Sequence, residues 1–94
     1  MDPDLNSKTA LVTGASRGIG KSIAEMLHAE GCRVALNSRN ADDILKMSTK
    51  LPGSIAIQAD VTQPDQAQQM IDNVIDALGQ LDILICNVGS GSSV

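Results

Sequence analysis

The chain has 94 residues, 43% of them hydrophobic, with no Phe, Tyr or Trp, seven Lys and Arg against eleven Asp and Glu, and a formal net charge of -4. That length accommodates one modest core and no separate substrate domain, and the lack of aromatic residues excludes a stacking platform for bases. Every Lys and Arg lies at or before Lys50, whereas Asp60, Asp65, Asp72, Asp76 and Asp82 follow without a base, which argues against a nucleic-acid or anionic-membrane surface yet leaves bases for one small anionic ligand.

Taken in chain order, Met1 to Asn6 has neither the basic start nor the apolar centre of a leader and reads as a short tail. Four apolar runs then recur, Ala10 to Val12, Val34 to Leu36, Ile55 to Ile57 and Ile83 to Ile85. They are continuous rather than alternating, as expected of strands covered on both faces in a parallel sheet. A helix is predicted from about Gly20 to Glu30, with Ile23, Met26 and Leu27 on its inner face, His28 on its surface and Gly31 as its stop. A weaker helical stretch runs from Asn40 to Lys50 before the Pro52-Gly53 turn. The clearest helix carries Ala67, Met70, Ile71, Val74, Ile75 and Leu78 on one stripe, with Thr62 and Asp65 as its expected capping pair and Gly79 as its end. Met26, Met47 and Met70 sit at core spacing and read as packing. A β-α-β-α-β-α-β order with right-handed crossovers gives an open parallel sheet with helices on both faces. Ligands bind such sheets beyond the carboxyl ends of the strands.

Other chemistries find little support. Cys32 and Cys86 each lie in an apolar run, which suggests reduced core thiols in a cytoplasmic protein. A single His and no CxxC spacing leave no metal site, and no stretch reaches the ~18 to 20 apolar residues of a membrane span. Ser90, Ser92 and Ser93, in the Gly/Ser-rich stretch Gly89 to Val94, have no His or Lys partner that would make a nucleophile.

Directly after the first strand comes Thr13-Gly14-Ala15-Ser16-Arg17-Gly18-Ile19-Gly20, leading into a helix. Backbone N–H groups and the positive end of the helix dipole converge there on an anion, and glycines let a phosphate approach the backbone. The spacing is G-x-x-x-G-x-G rather than G-x-G-x-x-G. A nucleoside-triphosphate loop overlaps it, with Ala15 in place of the first Gly followed by Gly20-Lys21-Ser22. In that alternative Lys21 reaches phosphates and Ser22 holds Mg²⁺, but the required second element, a strand ending in a metal-binding Asp, is present only doubtfully at Ile57 to Asp60.

Thr13 to Gly20 resembles the T-G-x-x-x-G-x-G signature of the short-chain dehydrogenase/reductase family, and the resemblance extends from Lys8 through Gly89. It implies a Rossmann-type doubly wound α/β sheet with strand order 3-2-1-4, in which Gly14, Ser16, Gly18, Ile19 and Gly20 line the pyrophosphate. Asp60 resembles the family's acidic contact to the adenine amino group, with Val61 offering its backbone. Asn87-Val88-Gly89 is similar to the end of the N-N-A-G motif beside the cofactor's ribose. Cys86 stands where that motif has its first Asn, and would be a buried small residue without the amide's hydrogen bonds. Cofactor choice is made at the end of the second strand, where NAD enzymes place an acid for the ribose hydroxyls. Ser38 occupies that position here, and Arg39 with Arg17 supplies guanidinium groups able to meet a 2′-phosphate. NADP(H) is therefore the preferred expectation and NAD(H) the lesser one, unless both arginines are simply solvated surface bases.

The family's catalytic Ser, the Tyr and Lys of Y-x-x-x-K and a later Asn have no counterpart in a chain without Tyr. The expectation is an N-terminal portion of a longer enzyme that acts on a carbonyl or alcohol, forms a homo-oligomer when whole, and is inactive in these 94 residues alone. The alternatives are a non-catalytic NADP(H)-binding module and the triphosphate binder.

Overall fold

The computed structural model describes residues 5–16 and 18–87. Their elements are β1 (Thr9–Val12), α1 (Gly18–Ala29), β2 (Arg33–Ser38), α2 (Ala41–Lys50), β3 (Ile55–Gln58), α3 (Pro64–Leu78) and β4 (Ile83–Ile85). The four strands form one parallel sheet in the order β3-β2-β1-β4, with Leu11 opposite both Ala35 and Leu84. This is the expected doubly wound order.

Alternation along the two central strands divides the core between the faces of the sheet. Ala10, Val12, Val34 and Leu36 pack with Ala24 and Leu27 of α1 and with Ile44 and Met47 of α2. Leu11 and Ala35 face the other way, onto Met70, Val74 and Leu78 of α3. The expectation of strands covered on both faces holds for β1 and β2 and fails for the outer pair: β3 and β4 are half-buried, and Leu84 is exposed. Each outer strand has a neighbour on one side only.

Helix α1 also departs from expectation. Its buried residues are Gly20, Ala24 and Leu27, while Met26 is 57% exposed and Ile23 only partly buried. Small residues let this helix lie close to the sheet, so the inner stripe is rotated away from Met26. Helix α2 is firmly started despite its weak pattern: Asn40 is extended and its Oδ1 accepts from the Asp43 N–H at 3.0 Å. Asp42 and Asp43 in the first turn and Lys50 in the last complement the helix dipole. The capping pair expected for α3 does not form. Gln63 holds the N-cap position without a side-chain bond, Pro64 opens the helix, and Thr62 turns back to Asp60 instead. Gly79 ends α3 in the left-handed region, φ 88, where its N–H reaches the Ile75 carbonyl at 2.8 Å.

At the amino ends of the strands, Asp82 clamps β1 to the entry of β4. Its Oδ2 accepts from the Thr9 N–H at 2.9 Å, from the Thr9 hydroxyl at 3.2 Å and from Gln80 Nε2 at 2.8 Å. Leu5, which falls within the expected tail, packs against the core, and its carbonyl accepts from the Cys32 thiol.

Candidate functional site

The carboxyl ends of all four strands point the same way, so the segments after β1, β2, β3 and β4 gather at one end of the sheet. Of the residues expected to form the site, Gly14, Ser16, Gly18, Ile19, Gly20, Ser38, Arg39, Asp60, Val61 and Asn87 are described; Arg17, Val88 and Gly89 lie outside the described residues.

The glycine loop is tied to the end of β4. The Asn87 N–H donates to Thr13 Oγ1 at 2.8 Å, Thr13 Oγ1 donates to the Ile85 carbonyl at 3.3 Å, and Asn87 Nδ2 donates to the Gly14 carbonyl at 3.3 Å. A Cβ on Gly20 would collide with the Gly14 carbonyl and come within 2.6 Å of Asn87 Nδ2, and one on Gly14 would strike the Asn87 carbonyl. Both glycines thus let loop, helix and β4 pack closely. Gly18 differs: its φ is 64, and among the described residues no atom beyond its chain neighbours and its own helix backbone lies within 4 Å of the Cβ position. Ile19 beside it is 72% exposed. The first turn of α1 contains no acidic residue, so its dipole end is uncompensated.

At the end of β2, Ser38 is buried, donates from Oγ to Ser16 Oγ at 3.4 Å and accepts the Asn40 N–H at 3.1 Å. The glycine loop and the end of β2 therefore meet at a pair of hydroxyls. Arg39 is exposed, and its carbonyl accepts from Gln58 Nε2 at 3.0 Å. After β3, Asp60 Oδ1 accepts the Thr62 hydroxyl at 2.6 Å and the Thr62 N–H at 3.0 Å. Those two bonds hold its carboxyl below the usual carboxylate range against a smaller opposing effect of burial, and the positive charge of Arg39 adds the least. The Asp60 N–H is held by Gln66 Oε1 at 2.8 Å, and Val61 packs on the α3 side of the core.

Cys86 is exposed, not buried as expected, because it follows the outermost strand. Cys32 is buried, and burial, followed by the charges of Glu30 and Asp82, pushes its thiol up. Lys21, which a triphosphate loop would use at the phosphates, lines a cleft of about 160 Å³ with Ser16 of the glycine loop and with Asp43, Lys46, Met47 and Lys50 of α2. Among the described residues no group of three or more His, Cys, Asp or Glu could hold a metal ion, and no helix is long and apolar enough to cross a membrane.

Two contributors were missed from sequence. In the sequence Thr13 is only the start of the glycine motif, yet its hydroxyl bridges β1 to Asn87. Asn37, buried at the end of β2, joins three segments. Its one available signal was its place in the alternation, two residues after inward-facing Ala35.

A parallel sheet in this order, with a glycine loop opening a helix at its carboxyl end, defines a doubly wound α/β protein of the nucleotide-binding type. The family model described as short chain dehydrogenase matches residues 8–94, and the chain belongs to that family. It is 43% identical over 88 residues to the 3-oxoacyl-(acyl-carrier-protein) reductase FabG of Staphylococcus epidermidis, covering 88% of this chain and 36% of that protein. Among solved structures, the hydroxysteroid dehydrogenase of Escherichia coli matches with a TM-score of 0.89 and 33% identity over 94% of this chain and 39% of that one. The 3-ketoacyl-(acyl-carrier-protein) reductase of Brucella melitensis, solved in complex with NADH, matches with a TM-score of 0.82 and 25% identity over 85% of this chain and 33% of that one. The chain spans between 33% and 39% of the length of these relatives.

Proposed function

We propose that these residues are the cofactor-binding part of an NADP(H)-dependent oxidoreductase acting on a carbonyl or alcohol. The observation that carries the cofactor choice is the end of β2, where a buried Ser38 hydroxyl meets Ser16 and no carboxylate occupies the position. A carboxylate there would repel a 2′-phosphate, whereas a hydroxyl donates to one, and Arg39 next in sequence brings a charge able to bond it bidentately. Arg17 is the second base assigned to that phosphate.

The residues fit a dinucleotide. Gly18 leaves open space at a helix start without acidic residues, which suits a pyrophosphate. Gly14, Ser16 and Gly20 complete that cradle, and exposed Ile19 offers an apolar contact at its edge. Asp60 and Val61 are assigned to the adenine, and Asn87, Val88 and Gly89 to the ribose next to the nicotinamide. When bound, the nicotinamide supplies or accepts the hydride. The chain's own groups bind and orient it, and the acid that protonates the substrate oxygen is assigned to residues beyond these 94. The whole protein is further assigned to the cytoplasm and to a homo-oligomer.

Calorimetric titration of the protein with NADPH and NADH tests the assignment through two variants. Arg39→Ala removes a charged hydrogen bond of about 1.5 to 3 kcal/mol, so NADPH affinity falls roughly tenfold or more while NADH affinity is unchanged. Ser38→Asp reverses the preference. Equal losses for both cofactors, or no loss for either, would refute the assignment.

A further inference from the structure

We infer that Asn37 is a positioning residue that fixes the Asp60-Val61 turn against the glycine loop, and thereby sets the span between the adenine and pyrophosphate parts of the site. This rests on the dinucleotide site proposed above. Asn37 is 2% exposed and belongs to both sides of the arrangement at once. Its backbone carbonyl accepts the Ala15 N–H at 2.8 Å, which anchors the glycine loop to β2. Its side-chain Nδ2 donates to the Ile57 carbonyl at 3.1 Å and to the Ala59 carbonyl at 3.2 Å. Ile57 is its partner in the ladder, whereas Ala59 lies past the end of β3, immediately before Asp60. One amide therefore reaches from the last paired strand residues to the first residues of the turn.

Packing alone does not account for an amide here. Ala35, two residues earlier on the same face, belongs to the apolar cluster against α3. A buried amide without partners would be strongly unfavourable at such a site, and an apolar side chain would fill it at no polar cost. What the amide adds is a donor pair aimed at two carbonyls of the neighbouring strand. The adjacent backbone strengthens the link, since the Ala59 N–H donates to the Ser38 carbonyl at 3.1 Å. A ligand gripped at the glycine loop and at Asp60 together depends on this spacing, whereas a ligand gripped at the loop alone does not.

The test compares Asn37→Leu, close in size but without a donor, with Asn37→Ser, which is small and too short to reach both carbonyls. Hydrogen exchange of the ligand-free protein is followed at Ala59 and Asp60, and at Ala15 and Leu11 as references. Exchange at Ala59 and Asp60 accelerates about tenfold or more, the loss expected when a buried bond is removed, while Ala15 and Leu11 keep their protection. In the same folded variants the Kd for NADPH rises about tenfold, and that for inorganic pyrophosphate, followed by the Ala15 amide resonance, changes less than about twofold. Uniform acceleration at all four amides, no acceleration at Ala59 and Asp60, or an unchanged NADPH Kd would overturn the inference. Should the unsubstituted protein bind no dinucleotide, the cofactor assignment falls, and the exchange pattern still decides whether Asn37 holds the turn.

Discussion

Replacing Gly20 by alanine sets two opposing effects against each other. Gly20 lies in the first turn of α1, and by helix propensity alone alanine would stabilise the protein by about 1 kcal/mol. The added methyl, however, points at the Gly14 carbonyl and at Asn87 Nδ2, themselves hydrogen-bonded to each other at 3.3 Å. Overpacking costs about 1 to 3 kcal/mol, and the upper end applies because one of the opposing groups is backbone within a loop tied to β1, β2 and β4. The net is a destabilisation of about 2 kcal/mol. With a urea slope of about 2 kcal/mol/M, the unfolding midpoint falls by about 1 M. Gly53→Ala is the control: its φ is 85 and nothing lies within 4 Å, so only the left-handed conformation is penalised, by about 1 kcal/mol. A Gly20→Ala protein at least as stable as its parent would show that loop and helix can part freely, and would refute the close-packing role.

Asn40→Ala removes the cap of α2 and lowers stability by about 1 kcal/mol in urea unfolding. The Asp82 carboxyl is held below its ordinary value of 3.8, first by the Thr9 N–H and then by Gln80 and the Thr9 hydroxyl, against some desolvation. Its stabilising contribution is therefore complete above that pH and lost as pH falls through the lowered value; Asp82→Ala unfolds more easily at neutral pH and loses less than its parent on acidification, as urea midpoints at the two conditions will show. Cys32, buried and with its thiol pushed up, reacts with a maleimide only after unfolding, whereas exposed Cys86 reacts in the folded chain, as mass spectrometry of labelled peptides will report.

The element order and sheet topology were legible because continuous apolar runs and turn residues punctuate the chain plainly. Side-chain placement was less so, and the misses have physical causes. Bulky apolar residues mark a helix's inner face by default, which places Met26 in the core, yet α1 approaches the sheet through Gly20 and Ala24, where smallness is what the contact requires. Thr62 and Asp65 match a capping pattern, but α3 takes Gln63 as its N-cap and opens on Pro64, which leaves Thr62 one residue before that cap with its hydroxyl turned to Asp60. The apolar run around Cys86 points to burial, but the outer position of its strand in the sheet exposes it. For the candidate site, the family resemblance and the strand register name Gly14, Ser16, Ser38, Asp60 and Asn87, and all five lie at or beyond strand ends at the carboxyl side of the sheet. Asn37 is not among them, because an Asn at the end of a strand ordinarily announces a turn, and only the neighbouring strand's carbonyls reveal its work.

The most direct test of the central claim is titration of the unsubstituted protein with NADPH, NADH and MgATP under one set of conditions. Binding of NADPH about tenfold or more tighter than NADH, with no magnesium-dependent binding of ATP, is the predicted result. Equal affinity for the two dinucleotides would contradict the role given to Ser38, Arg39 and Arg17, and tight magnesium-dependent ATP binding abolished by Lys21→Ala would contradict the dinucleotide site itself.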